Sequence, residues 1–206
     1  MSMFCFQCEQ RSQGVGCTAF GVCGKDPETA ALQDLLIHAC KEISQYAHQA
    51  RPLGGVDHEI DLFVTESLFT TVTNVNFDPD NLVLWLDQAG KLKAKAIAMR
   101  DEVFAKAGQT PPALPPLKAW TPGSGRDQYV REGGEVGVEG RQEQLGEDIS
   151  GLQELLLYGL KGMAAYAEHA KVLGVEDDEV YGFIHEAMSA MTATQPTVDE
   201  LLGLVL

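Results

Sequence analysis

The stretch Leu32-Gln-Asp-Leu-Leu36 returns 120 residues later as Leu152-Gln-Glu-Leu-Leu156. The same offset relates Lys41 to Lys161. Further pairs at this offset are Tyr46-Ala47 with Tyr166-Ala167, Leu53-Gly54 with Leu173-Gly174, Asp57 with Asp177, Glu59 with Glu179, Phe63 with Phe183 and Glu66 with Glu186. Self-similarity at a fixed offset is typical of a duplicated structural unit. The sequence therefore predicts two related units.

Each unit is predicted to contain three helices. In the first unit, Asp26-Pro27-Glu28 has the proline and acidic residues of a helix start, and Pro52-Leu-Gly-Gly55 ends that helix near residue 50. Its apolar residues recur at three- and four-residue spacing and form one face: Leu32, Leu35, Leu36, Ala39, Ile43, Tyr46 and Ala47. Further helices are predicted over 57–75 and 79–107. Because the connections are short, neighbouring helices should be antiparallel.

A segment rich in proline and glycine, residues 108–147, separates the units. Such composition is typical of a connector. We expect a short helix near 125–132 and Trp120 packed onto a bundle. The predicted fold is all-α, with two tandem antiparallel three-helix bundles and an N-terminal cysteine loop. The predicted boundaries are 1–27 for the cysteine loop, 28–107 for the first unit, 108–147 for the connector and 148–206 for the second unit.

The last helix of the second unit starts near Thr197 and reaches Leu206 within an apolar run. Its counterpart in the first unit runs for nearly thirty residues, from Pro79 to Ala107. By the logic of the repeat, we expect the second unit to be truncated in this helix. A naturally shorter helix is the alternative.

Charge and hydropathy restrict the environment and the partners. The 206 residues carry 15 basic and 30 acidic side chains, a formal net charge of −15. Such a chain is not expected to bind nucleic acid or anionic membranes. No apolar run approaches the roughly 18 residues that span a bilayer. The N-terminus lacks the pattern of a signal peptide. A reducing, cytoplasmic location is therefore expected, and it suits free thiolates.

Four of the five cysteines lie in the first 23 residues, at Cys5, Cys8, Cys17 and Cys23. The successive gaps contain two, eight and five residues. One tight pair and two more distant thiols in a glycine-rich loop favour an iron–sulfur cluster. A structural zinc site, usually built from two tight pairs, and a disulfide framework stay open from spacing alone.

Other residues with possible chemistry have structural alternatives. Cys40 lies on or beside the apolar helix face and its repeat partner is Leu160, so we expect a buried packing residue. Lys25 and Arg11 could offset the negative charge of a thiolate cluster, the alternative being solvent-exposed charge. The five histidines show no metal-ligand spacing, and no hydrolase, phosphate-binding or dinucleotide motif is present.

Several longer motifs resemble the hybrid-cluster proteins, also called prismane proteins or hydroxylamine reductases. The resemblance lies in Met3-Phe-Cys-Phe-Gln-Cys-Glu-Gln10, Glu28-Thr-Ala-Ala-Leu-Gln-Asp-Leu-Leu36, Thr70-Thr-Val-Thr-Asn-Val-Asn76 and Gly159-Leu-Lys-Gly-Met-Ala-Ala-Tyr-Ala-Glu-His-Ala170. It implies that Cys5, Cys8, Cys17 and Cys23 bind a cluster that passes electrons. Family members with short gaps, as here, hold a [4Fe-4S] cubane, whereas a subgroup with wider gaps holds a [2Fe-2S] cluster.

The resemblance also implies partners and a reaction. The family's catalytic centre is a second, hybrid iron–sulfur–oxygen cluster whose ligands come from downstream α/β domains, so no catalytic residue is assigned here. The implied reaction reduces hydroxylamine to ammonia, or nitric oxide to nitrous oxide. Electrons arrive in some organisms from an NADH-dependent flavin/iron–sulfur reductase. Two alternatives are a stand-alone iron–sulfur electron carrier or redox sensor, and a zinc-stabilised helical module.

Overall fold

The computed structural model describes residues 2–206. Within this range the chain forms eight α-helices and two 3₁₀ turns, at 12–14 and 51–53, with no β-strand. The helices are α1 Pro27–Ala50, α2 His58–Thr70, α3 Pro79–Lys106, α4 Arg126–Val136, α5 Val138–Leu145, α6 Glu147–Val172, α7 Asp178–Ala190 and α8 Val198–Val205. The predicted all-α class is confirmed. None of the helices between residues 2 and 206 is both long enough and apolar enough to cross a membrane.

The repeat is visible in how the helices begin. Asp57 accepts hydrogen bonds from the backbone N–H groups of Glu59 and Ile60 at the start of α2. Its repeat partner Asp177 accepts one from Glu179 at the start of α7. Side-chain caps of this kind satisfy backbone donors that have no partner inside the helix and contribute about 1 kcal/mol each. The duplicated sequence therefore repeats a structural device as well as an apolar pattern.

The helices of the two units pack into one shared core. Helix α1 packs on α3 and α4, and it also contacts α7 of the second unit. Helix α2 in turn packs against α6. The predicted apolar face of α1 is buried in this core, with only Tyr46 partly exposed. Each unit therefore contributes helices to a core that the other unit shares. The boundaries of the two units stay a prediction.

The connector contains more helix than predicted. Residues 126–145 form α4 and α5 almost without interruption, and the irregular part is 107–125. Gly133 allows α4 to cross closely over α1, since a Cβ atom there would lie 2.0 Å from the carbonyl oxygen of Ala31. Trp120 is buried, as predicted, and its indole N–H donates to Glu42 at 2.8 Å.

A buried polar network joins the two units. The Ser44 hydroxyl and His185 Nδ1 lie 2.9 Å apart, and His185 Nε2 lies 2.9 Å from Asp61 Oδ1. Arg51 donates two hydrogen bonds to the Asp61 carboxylate, at 3.1 and 3.2 Å. Burial lowers the pKa of His185. Its neutral ring therefore donates from Nε2 to Asp61 and accepts from Ser44 at Nδ1.

Candidate metal centre in the cysteine loop

A short antiparallel pairing holds two of the four predicted ligands side by side. The Cys5 N–H donates to the Cys17 carbonyl at 3.0 Å, and the Cys17 N–H donates to the Cys5 carbonyl at 2.8 Å. One step outward, the Met3 N–H donates to the Thr18 carbonyl at 3.0 Å. Residues that exchange both bonds have Cα atoms about 5.5 Å apart. The backbone therefore sets the spacing of Cys5 and Cys17.

A glycine turn positions Cys23. The Gly21 N–H donates to the Lys25 carbonyl at 2.7 Å, and the Gly24 N–H donates to the Gly21 carbonyl at 2.9 Å. Gly24 has φ +94°, a conformation that favours glycine. A Cβ atom on Gly21 would lie 3.1 Å from Cys23 Sγ, so the sulfur packs directly against the backbone of Gly21. This close packing favours glycine two residues before the last cysteine.

A second turn connects Cys8 to Cys17. The Arg11 N–H donates to the Cys8 carbonyl at 3.3 Å, and a 3₁₀ turn follows at 12–14. The Ser12 N–H then lies 3.5 Å from Cys17 Sγ and points at the sulfur. Backbone donors of this kind stabilise a thiolate and tune the potential of a thiolate-bound cluster.

All five cysteines are free thiols. Cys5, Cys8 and Cys23 are partly exposed and Cys17 is buried. Burial raises the pKa of the Cys5 thiol, and the Lys25 ammonium partly opposes that increase. The donor chemistry fits a thiolate-bound centre, although no three His, Cys, Asp or Glu side chains in residues 2–206 already converge as metal ligands.

Cys40 lies apart from the loop, in the core. It is fully buried within α1, and burial raises its pKa to about 12. A thiol with this pKa stays protonated at neutral pH and is a poor metal ligand. The predicted packing role of Cys40 is therefore confirmed.

Lys25 is the cation whose charge lowers the pKa of the Cys5 thiol most. Its side chain is only 2% exposed, and its ammonium lies 5.6 Å from the centroid of the Phe77 ring. No carboxylate lies within 4.0 Å of it among residues 2–206. A buried ammonium is costly unless it has a compensating charge. The alternative of a solvent-exposed Lys25 is thus wrong. A nearby carboxylate that its charge affects is Asp34, whose pKa Lys25 lowers against the larger effect of burial.

Arg11 is placed differently. It is half-buried, and its Nε donates to the Gly14 carbonyl at 2.7 Å across the turn that follows Cys8. This bond fixes the turn between Cys8 and Cys17. The structure therefore gives Arg11 a role in shaping the loop, independent of any charge that it adds.

The cysteine loop also forms one wall of a groove, and α6 forms the other. The groove has a volume of about 310 Å³. Its loop side includes Phe6, Gln7 and Cys8, and its α6 side includes Leu155 and Tyr158. Cys8 is therefore the predicted ligand that lies beside an open groove.

The chain matches the Prismane/CO dehydrogenase family over residues 3–206. It belongs to this family. Among curated relatives, it is 47% identical to the hydroxylamine reductase of Rhodospirillum rubrum over 204 residues, which cover 99% of this chain and 37% of the relative. The hydroxylamine reductases of Geobacter sulfurreducens and Desulfitobacterium hafniense are 44% and 43% identical, with 99% and 100% of this chain matched to 37% and 36% of theirs. The chain thus spans little more than a third of these relatives' length.

This Prismane-family chain contains charged side chains near the loop, buried except for the partly buried Asp34, that the sequence did not single out as functional. Asp34 and Lys41 of α1 have the repeat partners Glu154 and Lys161 on α6. Burial raises the pKa of Asp34 to about 6 and lowers those of Lys41 and Lys161 to about 7 and about 8. Glu154 is paired with Arg141. The signal was present in the repeat, since both units place an acid and a lysine seven residues apart.

Ser44, His185 and Asp61 have the connectivity of a hydrolase triad, which the sequence did not reveal. All three side chains are at most 2% exposed in the structure of residues 2–206, and none of them lines the groove beside Cys8. A substrate cannot reach a serine in this position. The arrangement is therefore a structural link between α1, α2 and α7 in this Prismane-family fold.

Proposed function

We propose that this chain is the N-terminal, electron-entry domain of a hydroxylamine-reductase-like hybrid-cluster protein. In this proposal Cys5, Cys8, Cys17 and Cys23 hold a [4Fe-4S] cluster. The observation that carries it is the backbone pairing of Cys5 with Cys17, in a loop that also contains the free thiols of Cys8 and Cys23 and the buried Lys25. Membership of the Prismane/CO dehydrogenase family supports it independently.

The loop residues have distinct roles in such a site. When bound, a cluster of this type accepts and releases single electrons. The Lys25 ammonium offsets the negative charge of the thiolates, and the Ser12 N–H stabilises the Cys17 sulfur. The rings of Phe4 and Phe6 pack edge to face with centroids 5.3 Å apart and limit the access of water.

The reaction belongs to the intact protein. Its relatives are named hydroxylamine reductase, and this chain matches 36–38% of their length. We infer that the whole protein reduces hydroxylamine to ammonia and water with two electrons and two protons, or reduces nitric oxide. The remaining domains would provide the hybrid iron–sulfur–oxygen cluster and the catalytic residues. An NADH-dependent flavin/iron–sulfur reductase is the proposed cytoplasmic electron donor.

The test uses the full-length protein, purified without oxygen, with each loop cysteine changed singly to serine. Cys40→Ala is the matched control, because Cys40 is a cysteine outside the loop. We expect every loop variant to lose iron and acid-labile sulfide relative to the parent, together with hydroxylamine reduction, and the control to keep both. A parent protein with one zinc and no sulfide would support the zinc module and overturn the proposal. A parent of 22.3 kDa that is reversibly reduced would support a stand-alone carrier.

A further inference from the structure

One side of α6 is exposed although it is largely apolar. Its residues recur at intervals that place them on a single helix face, and all of them are exposed: Gly151, Leu155, Tyr158, Gly159, Gly162 and Tyr166. We call this set the α6 strip. Leu155, Tyr158 and Tyr166 are 52%, 60% and 80% exposed. Exposed apolar patches on a folded chain mark surfaces that another structure covers.

The strip is uncharged in a chain whose net charge is −15. Its three glycines have helical backbone angles, and a Cβ atom on any of them would meet no atom within 4 Å. Glycine inside a helix costs about 1 kcal/mol relative to alanine. Nothing in residues 2–206 restricts these positions to glycine, whereas glycine would allow another backbone to approach the helix closely.

The strip continues into the groove beside Cys8. Gly151, Leu155 and Tyr158 line both features. Lys161 lies in the wall of the same groove, is 3% exposed and makes one hydrogen bond, of 3.4 Å, to the carbonyl of Thr71. An ammonium has three donors, so Lys161 has capacity for an acceptor that enters the groove.

The length of the relatives suggests an occupant for this surface. The whole of this chain matches only 36–38% of each relative, so the relatives possess a much longer polypeptide that is covalently joined to the matching region. The net charge of −15 opposes both a second copy of this chain and an anionic bilayer as the occupant. These two occupants are therefore disfavoured, and the remainder of the same polypeptide is the occupant that the length of the relatives supports.

We infer that the α6 strip is the docking surface for the rest of the polypeptide that the relatives possess. Its backbone passes over the three glycines, and one of its side chains fills the groove beside Cys8. The inference rests on the proposed function, because it takes this chain to be part of a longer protein. It adds the surface through which the cysteine loop is attached to the remaining domains.

Carbene footprinting of the full-length protein under anaerobic conditions, with a photolysed diazirine and mass spectrometry, tests this inference. We expect Tyr158 and Tyr166 to be labelled at least about fivefold less than their exposure in this region predicts, since interface cores exclude solvent. Leu84 of α3, which is 64% exposed, is the internal reference and should be labelled normally. Full labelling of both tyrosines would overturn the inference. Protection that grows with protein concentration would do so too, because it would identify a second copy as the occupant.

Two glycine variants complete the design. Gly162→Leu places a side chain on the strip, and we expect it to restore labelling of Tyr158. Gly134→Leu is the matched control, because Gly134 is an exposed helical glycine of α4 with equally open space around it. Equal effects of the two variants would contradict the inference. Iron and sulfide are measured on the same samples, to separate the two hypotheses. Full labelling of the α6 strip in a protein that contains iron and sulfide would refute the docking alone. Protection of the strip in a protein without iron would refute the proposed function alone.

Discussion

Replacing His185 with leucine removes the centre of the buried network that joins the two units. The ring now donates to Asp61 at 2.9 Å and lies 2.9 Å from the Ser44 hydroxyl. Leucine fills a similar space but offers neither a donor nor an acceptor. Asp61, which is 2% exposed, would keep only Arg51 as its side-chain partner, and the fully buried Ser44 would lose its acceptor.

The expected cost follows from these two groups. A buried polar group that loses its partner costs about 1–3 kcal/mol, with charged groups at the upper end. For the carboxylate and the hydroxyl together we expect His185→Leu to lower the free energy of unfolding by about 3 kcal/mol, a large part of the ~5–15 kcal/mol available to a domain. His185→Gln retains a donor for Asp61 and should cost about half as much.

Urea unfolding of the apo chain, followed by far-ultraviolet circular dichroism, measures both changes. The midpoints should rank as parent, His185→Gln and His185→Leu, with similar slopes against urea concentration. A cost below about 1 kcal/mol for His185→Leu would refute the reasoning, because the buried bonds would then have no net value. Equal midpoints for the two variants would show that the Asp61 bond is not the important one.

The same network makes stability depend on pH. Burial lowers the pKa of His185 below its ordinary value of 6.5, so the unfolded chain binds a proton that the folded chain excludes. This contribution is complete above pH 6.5 and is lost as the pH falls from there toward the folded pKa. The parent should therefore lose stability faster than His185→Leu over that window. His38, whose pKa burial also lowers, adds to the slope that the variant retains, and Asp34, whose pKa burial raises to about 6, opposes it.

Three further predictions follow from close packing and charge. Gly133→Ala should destabilise the chain by about 2–3 kcal/mol in urea unfolding, because its Cβ would overlap Ala31, whereas Gly134→Ala in open space should be neutral or stabilising. Gly21→Ala should lower the iron bound per chain, since its Cβ would lie 3.1 Å from Cys23 Sγ; unchanged iron would contradict this. Lys25→Met should make the cluster potential more negative, by tens of millivolts in voltammetry, and Lys25→Arg should not.

The observed ends of the helices show which local sequence signals were sufficient to predict them. The first helix was predicted from Asp26-Pro27 to about Ala50, and α1 has these limits because its cap and first turn are encoded locally. The second was predicted to extend to Val75 but ends at Thr70. Asn74 with φ +66° and the Asn76 side chain, which donates to Thr70, form a turn that stops it. Residues 70–76 contain threonine, valine and asparagine but no proline or glycine, so there was no clear local signal for the end of the helix.

Packing between distant segments could not be obtained from spacing. A short helix was predicted near 125–132, yet α4 continues through Gly133 to Val136, and the close crossing of α1 explains why residue 133 is glycine. The repeat predicted two units, but not that α1 would contact α7. Periodicity identifies which face is apolar and leaves open which helix covers it.

In the cysteine loop, too, spacing predicts some features whereas others depend on how the chain folds. The spacing of Cys5, Cys8, Cys17 and Cys23 and the family resemblance predict a ligand set, which stays a prediction. The backbone pairing of Cys5 with Cys17 and the burial of Lys25 depend on how the loop folds over α1. They could therefore not be predicted from the spacing of the cysteines. A lysine directly after a cysteine turn was the available signal, and it was compatible with either burial or exposure.

Anaerobic native mass spectrometry of the protein from its source cells tests the central claim most directly, since it reports chain length and bound metal together. The account predicts a chain far heavier than 22.3 kDa that carries more than one multi-iron cluster, one of them lost when a loop cysteine is changed to serine. A 22.3 kDa chain carrying a single zinc and no sulfide would contradict it.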